Sequence, residues 1–163
     1  MIPVLLTVLL AGALSPQQTR QLAERYNAAQ AAIGRRDYVK ASNDMNALVR
    51  DFGSSEFGDE VRYALAETYF NLGQYDRAAD IFNQLLEKPH HAYIKPEAMY
   101  GTAISEMMRG NFKQAQLTLE QLSKQQGYDT DNRTNFALGV LHYFLKNYDQ
   151  AAAKLNGLEL PEA

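Results

Sequence analysis

Apolar residues recur along the chain at steps of three and four positions, which is the spacing of one buried face of an α-helix. Leu65 and Tyr69 show this spacing near the middle of the chain, and Ala78, Phe82 and Leu85 show it again a few residues later. No stretch alternates apolar and polar residues for long enough to predict a β-strand. The pattern therefore predicts an all-α fold.

The same helical pattern returns four times at a nearly constant interval. Each copy has an aromatic residue, an alanine three positions later and an apolar residue four positions after that. The copies are Tyr38/Ala41/Met45, Tyr75/Ala78/Phe82, Phe112/Ala115/Leu119 and Tyr148/Ala151/Leu155, and their aromatic residues lie 36 or 37 positions apart. Because turn residues such as Gly73-Gln74 and Gly110-Asn111 precede the aromatic residue, each unit is predicted to be two antiparallel helices joined by a short turn.

These units resemble the tetratricopeptide repeat. The family pattern is met most fully in the second unit, where Leu65-Ala66 and Tyr69 precede Ala78, Phe82 and Pro89. The resemblance extends over residues 17 to about 158. It implies an α-solenoid, a right-handed superhelix of about four helix hairpins. The units are longer than the family's period of about 34 residues, which longer loops between the units explain.

The repeats set the domain organisation that we predict. A repeat domain spans residues 16–163, in units of about 17–53, 54–90, 91–127 and 128–163. Small residues at equivalent positions of each unit let its two helices approach closely; they are Ala29, Ala66, Ala103 and Gly139 on the first helices and Ala41, Ala78, Ala115 and Ala151 on the second. Asp59, Pro96 and Asp131 are predicted at helix N-termini, which favour side-chain acceptors and proline.

A segment of the second unit, from Phe52 to Phe70, is similar to the envelope subgroup of this family in Gram-negative bacteria. The β-barrel assembly lipoprotein and the Tol-Pal coordinator typify that subgroup, which has an aromatic-Pro-x-Ser segment before a helix with an acidic beginning. Here Phe52-Gly53-Ser54-Ser55 precedes Asp59 and Glu60, with Gly53 in the place of the proline. The resemblance implies a protein of the bacterial cell envelope.

The first fifteen residues are unlike the repeats. Residues 1–15 contain no charged side chain, and Val4 to Leu14 are apolar apart from Thr7 and Gly12. This run is about half of the roughly 20 residues that a membrane-spanning helix needs, and it ends in small residues as secretory signals do. We therefore predict a signal-peptide-like segment, export, and a periplasmic location at the outer membrane.

Leu10-Ala11-Gly12-Ala13 resembles the lipobox of bacterial lipoproteins, with Ala13 in the place of the lipidated cysteine. Without a thiol, lipidation cannot occur at this position. We therefore expect membrane association only through a partner or an N-terminal anchor. The alternative is a buried N-terminal helix, which Pro3 and Pro16 at the two ends of the run disfavour.

The resemblance places the interaction surface on the concave face, which the first helices of the units form. Two rows of residues fall in register there: Tyr26, Tyr63, Tyr100 and Phe136, then Ile33, Phe70, Met107 and Tyr143. The predicted partner-binding groove contains Tyr26, Tyr63, Glu67, Phe70, Tyr100, Ile104, Met107, Met108, Phe136, Val140, Tyr143 and Phe144. Aromatic side chains give a large contact area at little entropy cost, which suits an extended or helical segment of a partner protein. Two alternatives stay open: the aromatic residues hold neighbouring units together, or the protein's own termini cover them.

Composition and charge exclude several kinds of function. The chain of 163 residues has 16 Lys and Arg against 19 Asp and Glu, a net charge of −3, and this balance disfavours a protein that binds nucleic acid. It contains no cysteine, which excludes disulfides, thiolate metal sites and cysteine nucleophiles. His90 and His91 are predicted to be solvent-exposed loop residues and His142 a packing residue, since no third ligand follows at the spacing of a zinc site. We expect no metal, no cofactor and no enzymatic activity.

The sequence therefore predicts a non-enzymatic adaptor of the cell envelope that binds protein partners. Its last unit reaches about Leu155 with no further polar helix after it, although stacked repeats need a polar cap. An alternative interpretation is thus a structural repeat protein that associates with copies of itself through its C-terminal unit.

Overall fold

The computed structural model describes residues 14–128, 131–156 and 158. Within these ranges the chain forms eight α-helices and no β-strand. The helices are α1 (Pro16–Gly34), α2 (Tyr38–Phe52), α3 (Gly58–Asn71), α4 (Tyr75–Glu87), α5 (Ile94–Met108), α6 (Phe112–Ser123), α7 (Asn132–Phe144) and α8 (Tyr148–Leu155). None of these helices is both long enough and apolar enough to cross a membrane. The predicted signal-like segment lies outside the described residues, except for Leu14 and Ser15.

The helices pair into four hairpins, each of an odd-numbered helix and the even-numbered helix that follows it. Successive hairpins also pack together, because α2 contacts α3, α4 contacts α5 and α6 contacts α7. In addition α3 contacts α5 and α5 contacts α7, so these first helices of successive units lie side by side. The buried apolar residues form three clusters, each shared by one hairpin and the first helix of the next. This stack is the all-α superhelix that the repeat predicts.

The same tight turn joins the two helices of each unit. In every unit a backbone N–H donates to the carbonyl oxygen five residues earlier, as Gln74 does to Tyr69 at 2.9 Å. This Schellman ending of a helix requires one residue with a positive φ. Gly73 and Gly110 have φ angles of 73° and 82° at this position. In the first and last units Arg36 and Lys146 take their place, with φ angles of 59° and 63°. The four turns confirm the prediction of short connections.

Small residues bring the helices close together, as predicted. Four positions of the first helices and four of the second are buried: Ala29, Ala66, Ala103 and Gly139, then Ala41, Ala78, Ala115 and Ala151. At Gly139 of α7, a Cβ atom would lie only 2.6 Å from the side chain of Leu155. Real Cβ contacts are longer than this, so even an alanine at position 139 requires the Leu155 side chain to shift.

Asp131 and Pro96, two of the residues predicted at helix N-termini, lie at different positions relative to their helices. Asp131 caps α7, because its carboxylate accepts a hydrogen bond from the N–H of Thr134 at 2.9 Å. Pro96, by contrast, is the third residue of α5 and not its first. The helix begins earlier because the preceding segment already turns, with the N–H of Ile94 donating to the carbonyl oxygen of His91 at 3.2 Å.

Asp59 links two units and does not cap a helix, which corrects its predicted role. Helix α3 begins at Gly58, and no side chain caps it. The Asp59 side chain is fully buried, and its Oδ2 accepts hydrogen bonds from the N–H groups of His90 at 2.6 Å and His91 at 3.0 Å. Its Oδ1 lies 3.2 Å from Nδ1 of His90 and 3.8 Å from the guanidinium of Arg62. The carboxylate therefore ties the second unit to the loop that leads into the third.

His90 and His91 lie in this loop, and His142 lies in the last unit. His90 is exposed as predicted, but His91 is half-buried and stacks on Tyr93 with ring centroids 5.3 Å apart, so the prediction of an exposed pair is wrong for His91. His142 is buried, as expected of a packing residue. Within the described residues, no group of three or more histidine, aspartate or glutamate side chains is arranged to hold a metal ion.

We expect Asp59→Ala to lower the free energy of unfolding by about 3 kcal/mol, because it leaves two partly buried N–H groups and an arginine without their acceptor. Urea unfolding followed by circular dichroism measures the loss. Asp80→Ala is the matched control, since Asp80 is an exposed aspartate of α4, and it should change stability by less than about 0.5 kcal/mol. Equal losses in the two variants would contradict a link between units at Asp59.

Candidate functional site

A groove with a volume of about 270 Å³ lies where α3, α5 and α7 are neighbours. Its walls come from the first helices of three successive units, and one residue of an outer helix, Phe82 of α4, lies at its floor. The lining residues are Tyr63, Glu67, Phe70, Asn71, Phe82, Tyr100, Gly101, Ile104 and Arg133. The groove therefore exists only because the units stack.

Helical spacing explains why these side chains share one face. On α3, Glu67 follows Tyr63 by four positions, and Asn71 follows Glu67 by four. On α5, Ile104 follows Tyr100 by four positions. Residues four apart lie one above the other on a helix, so each helix presents a continuous strip to the groove.

The floor of the groove depends on a glycine. A Cβ atom on Gly101 would lie 2.5 Å from the ring of Phe82, a distance that real Cβ contacts do not show. The ring of Tyr63 also meets the ring of Phe82 edge-on, with centroids 5.4 Å apart. The missing side chain at position 101 thus lets the Phe82 ring extend under α5 and pack against Tyr63.

Arg133 stands at one side of the groove with its charge already paired. Its guanidinium lies 5.0 Å from the centroid of the Tyr100 ring. It also donates hydrogen bonds to both carboxylate oxygens of Glu97, at 3.1 and 3.3 Å, and lies 3.9 Å from a carboxylate oxygen of Asp131. The hydrogen bond with Glu97 raises the pKa of Arg133, so this pairing stabilises the charged guanidinium.

Glu67 on the opposite helix has no such partner. Within the described part of the chain no lysine, arginine or histidine forms an ion pair with it. Glu67 is solvent-exposed, but the groove walls remove part of the water around its carboxyl and raise the pKa of that group. A hydrogen bond with Tyr63 and the charge of Arg133 partly lower the pKa again. Burial likewise raises the pKa of the hydroxyl groups of Tyr63 and Tyr100. The unpaired charge in the groove is negative.

The structure brings five of the predicted groove residues together. Tyr63, Glu67, Phe70, Tyr100 and Ile104 line one cavity. Sequence reasoning did not single out Phe82, Gly101 or Arg133 as groove residues. Arg133 lies four and seven positions before Ala137 and Val140, so the helical face of α7 contained a signal for it.

The other predicted residues lie outside this cavity. Tyr26 is half-buried beside the first core cluster, and its hydroxyl accepts a hydrogen bond from Gln30 at 2.9 Å. Met107 packs against the third core cluster, and Val140 is half-buried. Met108, Phe136, Tyr143 and Phe144 are each more than half exposed. The long aromatic row that the sequence predicts is thus divided into a groove and a separate exposed surface.

A comparison with known protein families identifies the repeat. The tetratricopeptide repeat model matches residues 26–92 and 100–162, which is most of the chain. The chain belongs to the tetratricopeptide repeat family. This confirms the resemblance at the level of the family, whose fold is generally a non-catalytic scaffold for protein–protein interaction.

Solved structures share the fold of this tetratricopeptide repeat protein. The chain is similar to the MamA RS-1 ArsTM double mutant, with 20% sequence identity and a TM-score of 0.68 over 83% of this chain and 72% of that chain. MamA 41-end from Desulfovibrio magneticus RS-1 matches with the same identity and coverage and a TM-score of 0.67. No curated protein is significantly similar in sequence. At 20% identity the similarity shows a shared fold alone.

We expect Gly101→Ala to lower the free energy of unfolding by about 1–2 kcal/mol, because the cost of overpacking against Phe82 exceeds the gain of about 1 kcal/mol in helix propensity. In a Phe82→Leu background the same substitution should cost less, since the shorter side chain leaves space for the new methyl group. Urea unfolding of the four proteins measures this coupling.

Gly34→Ala is the control for helix propensity alone. Gly34 ends α1, and a Cβ atom there would contact nothing within 4 Å. This variant should be as stable as the original protein or slightly more stable. If Gly101→Ala were equally harmless in both backgrounds, the tight contact at the floor of the groove would be refuted.

Proposed function

We propose that this tetratricopeptide repeat protein is a non-enzymatic adaptor that holds envelope proteins together by binding segments of its partners in the groove. The observation that carries the proposal is the groove itself: two successive units contribute aromatic and apolar walls to one open cavity of about 270 Å³, and the next unit contributes Arg133. A partner segment that crossed the stack would contact all three units at once.

The chemistry of the walls favours a peptide-like ligand. Tyr63, Phe70 and Tyr100 offer rigid rings with few torsions to order, and such side chains dominate the energetics of protein interfaces. Glu67 and Asn71 add polar groups at the rim, which can orient a backbone or a side chain. An extended or helical segment would place apolar side chains between the rings and leave its polar side toward solvent.

The proposed place of action is the periplasm, at the outer membrane. The uncharged apolar segment 1–15 supports export, and Leu10-Ala11-Gly12-Ala13 supports an origin among lipobox-containing proteins. The likeness of Phe52–Phe70 to the Gram-negative envelope subgroup supports the same compartment. In this proposal the protein reaches a membrane only through a partner or an N-terminal anchor.

A second candidate function is self-association through the last unit. Tyr143, Phe144 and Tyr148 are each more than half exposed. They form one cluster, because Tyr143 contacts Tyr148 with ring centroids 5.8 Å apart and Phe144 stacks on Phe112 at 5.5 Å. Exposed aromatic clusters of this kind are typical of interfaces between proteins.

Crosslinking in the organism that encodes the protein tests the adaptor function. A photoreactive amino acid at Asn71, on the rim of the groove, should crosslink to a protein partner in the periplasmic fraction, whereas the same amino acid at the exposed Leu117 of outer helix α6 should not. Mass spectrometry identifies the partner. The combined substitution Phe70→Ala and Tyr100→Ala should remove at least about 90% of the crosslink, because it removes two walls and costs well over 1.4 kcal/mol of binding.

The adaptor proposal fails if both positions crosslink to the same proteins with equal yield, or if the groove substitutions leave the crosslink unchanged. Recovery of the protein in the cytoplasmic fraction would contradict the envelope location alone. Circular dichroism of the double variant separates loss of binding from loss of fold.

Light scattering over a range of concentrations tests self-association separately. If the last unit joins copies of the chain, the molar mass should rise with concentration, and Tyr143→Ser with Phe144→Ser should return it to that of a monomer. Val39→Ser is the control, because Val39 is an exposed apolar residue far from the last unit. A monomeric mass at every concentration would exclude this second function.

A further inference from the structure

We infer that the groove selects partner segments that carry a lysine or arginine next to apolar side chains. The inference rests on the proposed groove function and adds the chemical class of the partner to it. Two observations carry it: the unpaired carboxylate of Glu67 and the fully engaged guanidinium of Arg133, which face the same cavity.

Glu67 supplies the unpaired negative charge of the groove. It lines the cavity, and no ion pair neutralises it among the residues that the structure describes. A carboxylate without an ion-pair partner is stabilised when a ligand brings a cation to it, because an opposite charge favours the ionised form.

Arg133 does not favour an acidic ligand. Its guanidinium already binds Glu97 through two hydrogen bonds and lies over the ring of Tyr100. Glu97 and Asp131 already balance the charge of Arg133, and the Glu97 carboxylate also accepts a hydrogen bond from Tyr128 at 3.4 Å. An acidic ligand would therefore compete with two carboxylates for one guanidinium, with little net gain in charge pairing.

The shape of the groove accommodates a long basic side chain. Phe70 and Ile104 provide apolar surface beside Glu67. Lysine and arginine have aliphatic stems that pack on such surface while the charged end stays at the polar rim. The rings of Tyr63 and Tyr100 add faces that attract a cation. A neutral apolar side chain can fill the same space but leaves Glu67 unpaired.

Binding of three labelled peptides to the full chain tests the inference. The peptides are short, fluorescein-labelled and alternate leucine with lysine, glutamine or glutamate. Fluorescence anisotropy should give an affinity for the lysine peptide about three- to fivefold higher than for the glutamine peptide, as expected of one partly exposed ion pair, and the glutamate peptide should bind weakest.

Glu67→Gln should abolish the preference for the lysine peptide over the glutamine peptide. Glu87→Gln is the matched control, since Glu87 is an exposed glutamate at the end of α4, and it should keep the preference. Acidification protonates Glu67, so the preference should be lost as pH falls through its raised pKa, at a higher pH than for an ordinary glutamate. Added salt should also reduce it.

The outcomes separate this inference from the groove function. If the three peptides bind equally well and Phe70→Ala with Tyr100→Ala weakens all of them, the groove function stands and the charge selectivity is overturned. A preference for the glutamate peptide that Arg133→Gln removes would also overturn it. If none of the peptides binds, or if the groove substitutions change nothing, the result counts against the groove and the selectivity together.

Discussion

The close approach of paired helices is the constraint on which the rest of the molecule depends. One small side chain per helix sets the distance within each hairpin, as Ala66 and Ala78 do in the second unit, where both are buried. Small residues recur at these positions in each unit, and the first helices α3, α5 and α7 come into contact and form a common inner surface. At Gly101 the approach is closer still, and there a phenylalanine of the outer helix reaches the inner surface. The groove is thus a consequence of spacing between helices, with its side chains supplied by three different units.

Most of the fold could be predicted from the sequence because the same residue pattern occurs four times. The aromatic residue and the alanine three positions later mark the same turn four times, and the helices begin where these marks predict, as α4 does at Tyr75 and α8 at Tyr148. The loops between units were harder to predict, because they are not repeated. Asp59 has the residue type of a helix cap, but its partners are the N–H groups of His90 and His91 more than thirty positions later, and no local pattern reveals such a contact.

The groove could be predicted in part, for a related reason. Helical spacing places Tyr63, Glu67 and Phe70 on one face of α3, and the structure gathers them in one cavity. The same reasoning extended the row to Tyr143 and Phe144, which the structure places beside Phe112 and Tyr148 instead. Periodicity identifies which residues share a face, whereas a cavity also depends on neighbouring units and outer helices. Phe82 belongs to an outer helix, and periodicity therefore assigns it to the core alone.

The turns within the units are alike in hydrogen bonding but unequal in strain. The two middle units reverse the chain through glycine, whereas the first and last units do so with Arg36 and Lys146 in a left-handed backbone conformation that costs a residue with a side chain roughly 1 kcal/mol. In a stack of repeats each unit depends on its own contacts and on those with its neighbours, so this penalty weakens the hairpins of α1–α2 and α7–α8 relative to the two hairpins between them. Local opening is thereby favoured away from the α3–α4 and α5–α6 hairpins, which bear most of the groove.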